Sequence, residues 1–306
     1  MAQGCHMCRG QVGYLRPVST PPFVDLPNGV LAERWPVRDR ERAVLHAGMA
    51  NARQWAILVP GFTGSKEDFI ALLPLLAEAG VGGIAIDQLG QYESDASSDA
   101  ADYALNLLAA DVAELAGLAA TRFGRADAPH LLGHSFGGLV VQEAVAGHHL
   151  RPASLLLFCT GPGALPRERW ESLPELVDAL QHAELSTIWR IMHEMEEAED
   201  LVRPSAAVAD FLERRWHANS PVQLREFARR LMDQPDLVAR VRPVVAAGMA
   251  TTVMWGELDD AWPVEAQARM AADLGATAVE LPGVGHSPNA QDPHLTATAL
   301  LDAWGR

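Results

Sequence analysis

His130-Leu131-Leu132-Gly133-His134-Ser135-Phe136-Gly137-Gly138-Leu139-Val140-Val141 is the stretch on which the fold turns. Apolar residues lead into Gly133 as a buried strand would, and Leu139 to Ala146 has helical spacing. Between them, Gly133-His134-Ser135-Phe136-Gly137 fits Gly-x-Ser-x-Gly. A nucleophilic Ser on a tight strand-to-helix turn needs glycines on either side, because the backbone there is strained and crowded. The turn exposes the hydroxyl above the sheet, and the helix N-terminus directs N–H groups at developing negative charge. The plainer alternative is a Gly-rich turn holding an idle Ser. The strand before and the helix after favour the nucleophile.

The surrounding chain supplies the rest of a sheet. Trp55-Ala56-Ile57-Leu58-Val59 is a continuous apolar run ended by Pro60-Gly61, as expected of a strand buried on both faces. Asp68 to Ala79 has helical spacing, Ile84-Ala85-Ile86 predicts the next strand, and Tyr103 to Phe123 a long helix capped near Ser98 or Asp99. Ser154 to Phe158 predicts a further strand. This alternation argues for an α/β class with a parallel sheet and helices on both faces. Residues 165–245 are almost wholly helical in pattern, with Trp170, Trp189 and Trp216 spread through them. Strand and helix then resume with Thr252 to Trp255, Pro263 to Leu274, Thr277 to Leu281 and Leu295 to Trp304. The expected organisation is a flexible tail over 1–20, a core over 21–164 and 246–306, and a helical insertion over 165–245. Phe23 to Val37 alternates around Pro27-Asn28-Gly29, which predicts a hairpin there, and Arg42 to Gly48 a short strand.

Composition narrows the function. The 306 residues carry 39 acidic and 24 basic side chains, a net charge of −15. Phosphate binding depends on Lys and Arg, so a nucleic-acid partner is not expected. An anionic membrane surface would repel the chain, and no apolar run approaches a membrane-spanning length. Three cysteines, Cys5, Cys8 and Cys159, make no disulfide framework, and the N-terminus has no signal-peptide core, so a cytoplasmic protein is expected. Cys5-x-x-Cys8 is half a zinc site without a second pair, and no metal or cofactor is expected. His193 to Asp200 is read as a solvated acidic helix face.

A Ser nucleophile needs a base, and the base an orienting acid. Among the downstream histidines only His286 directly follows a strand, in Pro282-Gly283-Val284-Gly285-His286-Ser287. The acid is expected in Gly256-Glu257-Leu258-Asp259-Asp260, after the strand ending at Trp255. Asp259 is the first choice, Asp260 the main rival and Glu257 a remote one. The oxyanion needs two donors, each worth about 3–4 kcal/mol in the transition state. The Phe136 N–H would supply one, and the Phe62 N–H, in Val59-Pro60-Gly61-Phe62-Thr63-Gly64-Ser65, the other.

Taken together, Pro60-Gly61-Phe62-Thr63-Gly64, Gly133-His134-Ser135-Phe136-Gly137-Gly138, Gly256-Glu257-Leu258-Asp259 and Gly285-His286 resemble the α/β-hydrolase superfamily, in its esterase, peptidase and carbon–carbon hydrolase branch. The resemblance spans about residues 25 to 304. It implies the α/β-hydrolase fold: a mostly parallel eight-stranded sheet with a helical cap between the sixth and seventh strands, here near 165–245. Two departures stand out. Pro60-Gly61 replaces the common His-Gly, which changes the pocket wall but leaves the backbone donor. Asp87-Gln88-Leu89-Gly90-Gln91-Tyr92-Glu93-Ser94 has Tyr92 where the family pattern has glycine, so a different loop shape is expected.

The expected activity is cofactor-free serine hydrolysis of a carboxylic ester or lactone of a small to medium apolar molecule. The alternatives are a carbon–carbon bond hydrolase acting on a diketone and an aminopeptidase-like amide hydrolase, for which Glu194, Glu196 and Glu197 are generic amine-holding candidates. A ligand-binding protein without turnover is the expectation from a different class. The base must be neutral, so activity is expected to fall below roughly pH 6–7.

Overall fold

Two antiparallel strands, β1 (Val30–Val37) and β2 (Arg40–Ala47), start the sheet in the computed structural model, which describes residues 19–169, 172–198 and 204–305. Cys5, Cys8, Trp170, Glu199 and Asp200 lie outside the described residues, as do the side chains of Glu196 and Glu197. The hairpin turns at Arg38-Asp39, with Arg38 at φ +58°. Pro27-Asn28-Gly29 lies ahead of β1 instead of at a hairpin tip, in a turn closed by Val30 N–H donating to Pro27 O at 3.1 Å. The earlier alternation is not a strand's: Phe23 and Leu26 are both exposed, with no sheet face to meet. Ser19, expected in the tail, is buried, because its carbonyl accepts from Arg215 Nη2 at 2.7 Å.

Strand and helix then alternate as β3 (Gln54–Val59), α1 (Leu72–Glu78), β4 (Val81–Ile86), α2 (Leu105–Phe123), β5 (His130–His134), α3 (Phe136–Ala146) and β6 (Ser154–Phe158). Among the described residues five α-helices follow: α4 (Leu173–His182), α5 (Leu185–Ala198), α6 (Ala206–Ala218), α7 (Pro221–Asp233) and α8 (Val238–Ala246). The chain closes with β7 (Ala250–Gly256), α9 (Val264–Leu274), β8 (Thr277–Leu281), α10 (Pro288–Gln291) and α11 (Pro293–Ala303). The eight strands form one sheet in the order β1-β2-β4-β3-β5-β6-β7-β8, parallel from β4 to β8.

Period-two alternation within the apolar runs builds two cores. Trp55, Ile57 and Val59 join one buried cluster, with Leu108 and Val112 of α2 and Leu139 and Val140 of α3. Ala56 and Leu58 join the other, with Leu72 and Leu76 of α1 and Leu300 of α11. Both sheet faces are therefore covered, which is why the central strands β3, β4 and β6 are almost wholly apolar. Leu176, Trp216, Leu224 and Phe227 of the five-helix segment enter the first cluster, so that segment shares a core with the sheet. Trp216 packs inside it and donates from Nε1 to Leu185 O at 2.9 Å. Among the described residues no helix is long and apolar enough to cross a membrane.

Candidate active site

In a parallel sheet the loops after successive strands gather at the carboxyl edge, the usual ligand-binding side of an open α/β sheet. Ser135 stands there, between β5 and α3, at φ +53° and ψ −120°. Such a backbone costs about 1–3 kcal/mol for a residue with a side chain and persists only where its surroundings hold it. Here Ser135 N–H donates to Phe158 O at 2.9 Å, and Ser135 O accepts from Thr160 Oγ1 at 2.7 Å. The flanking glycines are steric requirements. A Cβ on Gly133 would lie 2.3 Å from Gly137 O, and one on Gly137 would lie 2.4 Å from Val59 O.

The loops after β7 and β8 meet through backbone. Glu257 N–H donates to Leu281 O and Leu258 N–H to Val284 O, each at 2.9 Å. Gly256 permits this approach, since a Cβ there would lie 2.2 Å from Gly285 O. The result is that His286 Nδ1 lies 2.8 Å from Asp259 Oδ1, with both side chains buried. Asp259 Oδ1 also accepts from the Ala261 and Trp262 N–H groups, at 3.0 and 3.1 Å, and Oδ2 from Gln267 Nε2 at 2.8 Å. Burial opposes ionisation of Asp259, but His286 and these hydrogen bonds outweigh it and hold the carboxyl below its usual range. A carboxylate against Nδ1 requires a proton on Nδ1, so the neutral ring leaves Nε2 bare. His286 Nε2 is buried and has no hydrogen-bond partner among the described residues.

The rivals serve elsewhere. Asp260 is exposed, and its backbone carbonyl accepts from Arg169. Glu257 is exposed and receives Gly283 N–H at 2.8 Å, bracing the loop that carries His286. Ser135 Oγ makes no hydrogen bond to His286 or to any other described residue. The two loops are nonetheless adjacent: His134 Nε2 lies 2.7 Å from His286 O, and the two imidazole rings are 5.0 Å apart. Contacts that act in catalysis are often loose without substrate.

Phe62 and Phe136 are buried on the loop after β3 and at the first position of α3. Neither N–H donates to any described residue, which leaves both available to a ligand. Gly61 lies against the Ser135 turn: a Cβ there would be 3.5 Å from Ser135 Oγ.

His134 and Cys159 crowd beneath His286, with potential ligand atoms of the three residues within 4.8 Å of one another. Burial, reinforced by His286, pushes His134 down to about 3, so its ring stays neutral. Burial, reinforced by Asp259, pushes the Cys159 thiol well up. A buried, protonated thiol is a poor nucleophile.

Several residues here carry no recognisable motif. Gln267 of α9 and Gln223 of α7 each occupy an otherwise apolar helix face, beside Met270, Ala271 and Leu274 or Leu224, Phe227 and Leu231. A lone glutamine in such a stripe is the signal that could have found them. Gln88 and Gln91 sit in a polar loop, where nothing in the sequence distinguishes them. Tyr92 adopts φ +37°, the left-handed backbone a glycine would take, so the loop turns there despite the substitution. Its ring packs edge-on to Phe211 of α6 at 5.5 Å and under Lys66 Nζ at 4.7 Å.

Comparison with known proteins agrees with this architecture. The profile of the alpha/beta hydrolase family matches residues 56–299. No curated protein matches by sequence. An esterase from Exiguobacterium antarcticum is similar with a TM-score of 0.72 at 18% identity, over 90% of this chain and 100% of that one. A hydrolase from Pseudomonas aeruginosa PA01 gives 0.71 at 22% identity, over 90% and 98%. A bromoperoxidase from Bacillus anthracis gives 0.70 at 15% identity, over 90% and 100%. These likenesses establish the fold, and the match over most of the sequence establishes the kinship: the chain belongs to the alpha/beta hydrolase family.

Proposed function

We propose that the protein is a serine hydrolase that cleaves a carboxylic ester or lactone of a small to medium apolar molecule through an acyl-enzyme. The observation that carries this reading is the bare, buried Nε2 of His286, oriented by Asp259, beside the strained turn of Ser135. His286 Nε2 takes the Ser135 proton as Oγ attacks the acyl carbon. The oxyanion so formed accepts from the Phe62 and Phe136 N–H groups. Collapse breaks the ester C–O bond, and the leaving alkoxide takes the proton back from His286. Water then attacks the acyl-enzyme and gives a proton to His286, which passes it to Ser135 Oγ as the acyl C–O bond breaks and the carboxylic acid leaves. Asp259 stabilises the imidazolium in both halves. The base must be neutral at the start, so kcat/KM falls on the acid side.

The helices α4–α8 act as the cap. Phe227 of α7 stacks on Phe136 with ring centroids 4.0 Å apart, which packs that segment against the start of α3. The net charge of −15 disfavours anionic substrates in a salt-dependent way. Equal-concentration panels of neutral esters and lactones, aminoacyl amides and diketones test the reading. Fastest turnover of an ester or lactone, abolished in Ser135→Ala, is expected. Fastest turnover of a diketone or amide would replace the substrate class, and full activity in folded Ser135→Ala would overturn the mechanism.

A further inference from the structure

The peptide unit between Gly61 and Phe62 is gripped from behind. Its two ends are the Gly61 carbonyl and the Phe62 N–H, which point in opposite directions in a trans peptide. Gln91 Nε2 donates to Gly61 O at 2.7 Å and to Phe62 O at 3.3 Å. Gly64 N–H adds a 3.3 Å bond to Gly61 O. Gln91 Oε1 accepts from Gln88 N–H at 2.9 Å, so the orientation of the amide is fixed: its oxygen faces an N–H and its nitrogen faces two carbonyls. The side chain is fully buried and every polar atom on it is used. Gln88 Nε2 holds the preceding carbonyl, Pro60 O, at 3.0 Å, and Gln223 Nε2 reaches Phe62 O at 3.3 Å. Three successive carbonyls of the loop after β3 therefore accept from buried glutamine side chains, while the Phe62 N–H is left without a partner among the described residues.

We propose that Gln91 is a positioning residue for the oxyanion site. It locks the Gly61–Phe62 peptide so that the Phe62 N–H is presented to the reacting carbonyl oxygen, and it strengthens that N–H by polarising the same peptide from its carbonyl end. Hydrogen-bonded groups in a low-dielectric interior polarise one another, and a donor fixed in advance stabilises charge without reorganising. This inference rests on the serine-hydrolase reading above. The Gln91 contribution belongs to the transition state, where charge develops on the oxygen, and little of it to the bound ester.

The test compares wild type with Gln91→Met, which keeps the side-chain length and removes both donors, and with Gln91→Glu. The readouts are kcat and KM on a p-nitrophenyl ester, and the affinities for a trifluoromethyl ketone, which forms an oxyanion on Ser135, and for the matching alcohol, which does not. Removing an oxyanion donor outright lowers kcat about 10²–10³-fold, so Gln91→Met is expected to lower it about 10–100-fold with KM within about threefold. Affinity for the trifluoromethyl ketone falls by the same factor, and that for the alcohol stays constant. Gln91→Glu keeps the acceptor for Gln88 N–H. It recovers activity relative to wild type toward acid pH, where the introduced carboxyl is protonated and again donates to Gly61 O. Fluorophosphonate labelling of wild-type Ser135 separates the two readings. A labelled wild type, with folded variants that keep wild-type kcat, ketone affinity and pH profile, overturns the role of Gln91 alone. A wild type that takes no label overturns the hydrolase reading and the role of Gln91 with it.

Discussion

Asp259 and Asp260 are neighbours in sequence with opposite surroundings. Asp259 is buried with His286 Nδ1, two backbone N–H groups and Gln267 on its oxygens, whereas Asp260 faces solvent. An amide at position 259 would present a donor to a donor and favour the wrong imidazole tautomer. Asp259→Asn is therefore expected to lower kcat about 10⁴-fold, as loss of the orienting carboxylate does in a serine protease, while Asp260→Asn stays within about twofold. Steady-state kinetics on any accepted ester checks both, and equal losses would remove Asp259 from its role. Ser135 and His286 were legible in the sequence because glycines mark the positions that a crowded backbone requires. Asp259 was preferred over Asp260 on position alone, and what separates the two, enclosure by the Ala261 and Trp262 N–H groups and Gln267, was not legible because only the fold brings those groups together.

At the scale of elements, the buried strands of the sheet were legible from their unbroken apolar runs, and the helices between them from their spacing. Turns were less so. The hairpin tip falls at Arg38-Asp39, where Arg38 adopts a left-handed backbone that its residue type does not advertise. The loop after β4 shows the same effect, since Tyr92 takes φ +37° and is held there by Phe211 and Lys66. Left-handed backbone costs about 1–2 kcal/mol for a residue with a Cβ. Both Tyr92→Gly and Tyr92→Ala lose the ring contacts, but only glycine also relieves the backbone. The glycine variant is expected to be the more stable by about 1 kcal/mol in urea denaturation. Equal stabilities would mean that the loop is not strained.

Over the whole molecule, Arg215 of α6 ties the five-helix segment to the core. Its guanidinium donates to Asp68 Oδ1 at 2.8 Å and to Ser19 O at 2.7 Å, and Asp68 O accepts from Asn289 Nδ2 at 2.7 Å, three residues beyond His286. Burial lifts the Asp68 carboxyl to about 6, with Arg215 pulling against it. Removing one partner of a buried pair costs about 3–5 kcal/mol. Arg215→Met is expected to lose that much and to raise the Asp68 carboxyl further. The folded variant then holds a proton that the unfolded chain releases near pH 4, so its stability falls as pH rises through the raised value. Its deficit against wild type should grow between pH 5 and pH 8 in urea denaturation, and a constant deficit would show that Asp68 is not the titrating partner. The helical segment was legible as a block, but this tie was not, because Ser19, Asp68 and Arg215 are brought together only by the fold. The central claim is that Ser135 is an activated nucleophile, and labelling with a fluorophosphonate followed by mass mapping tests it most directly. One adduct on Ser135, lost in His286→Ala, is the expected result; a folded protein that takes no adduct, or takes it elsewhere, would contradict it.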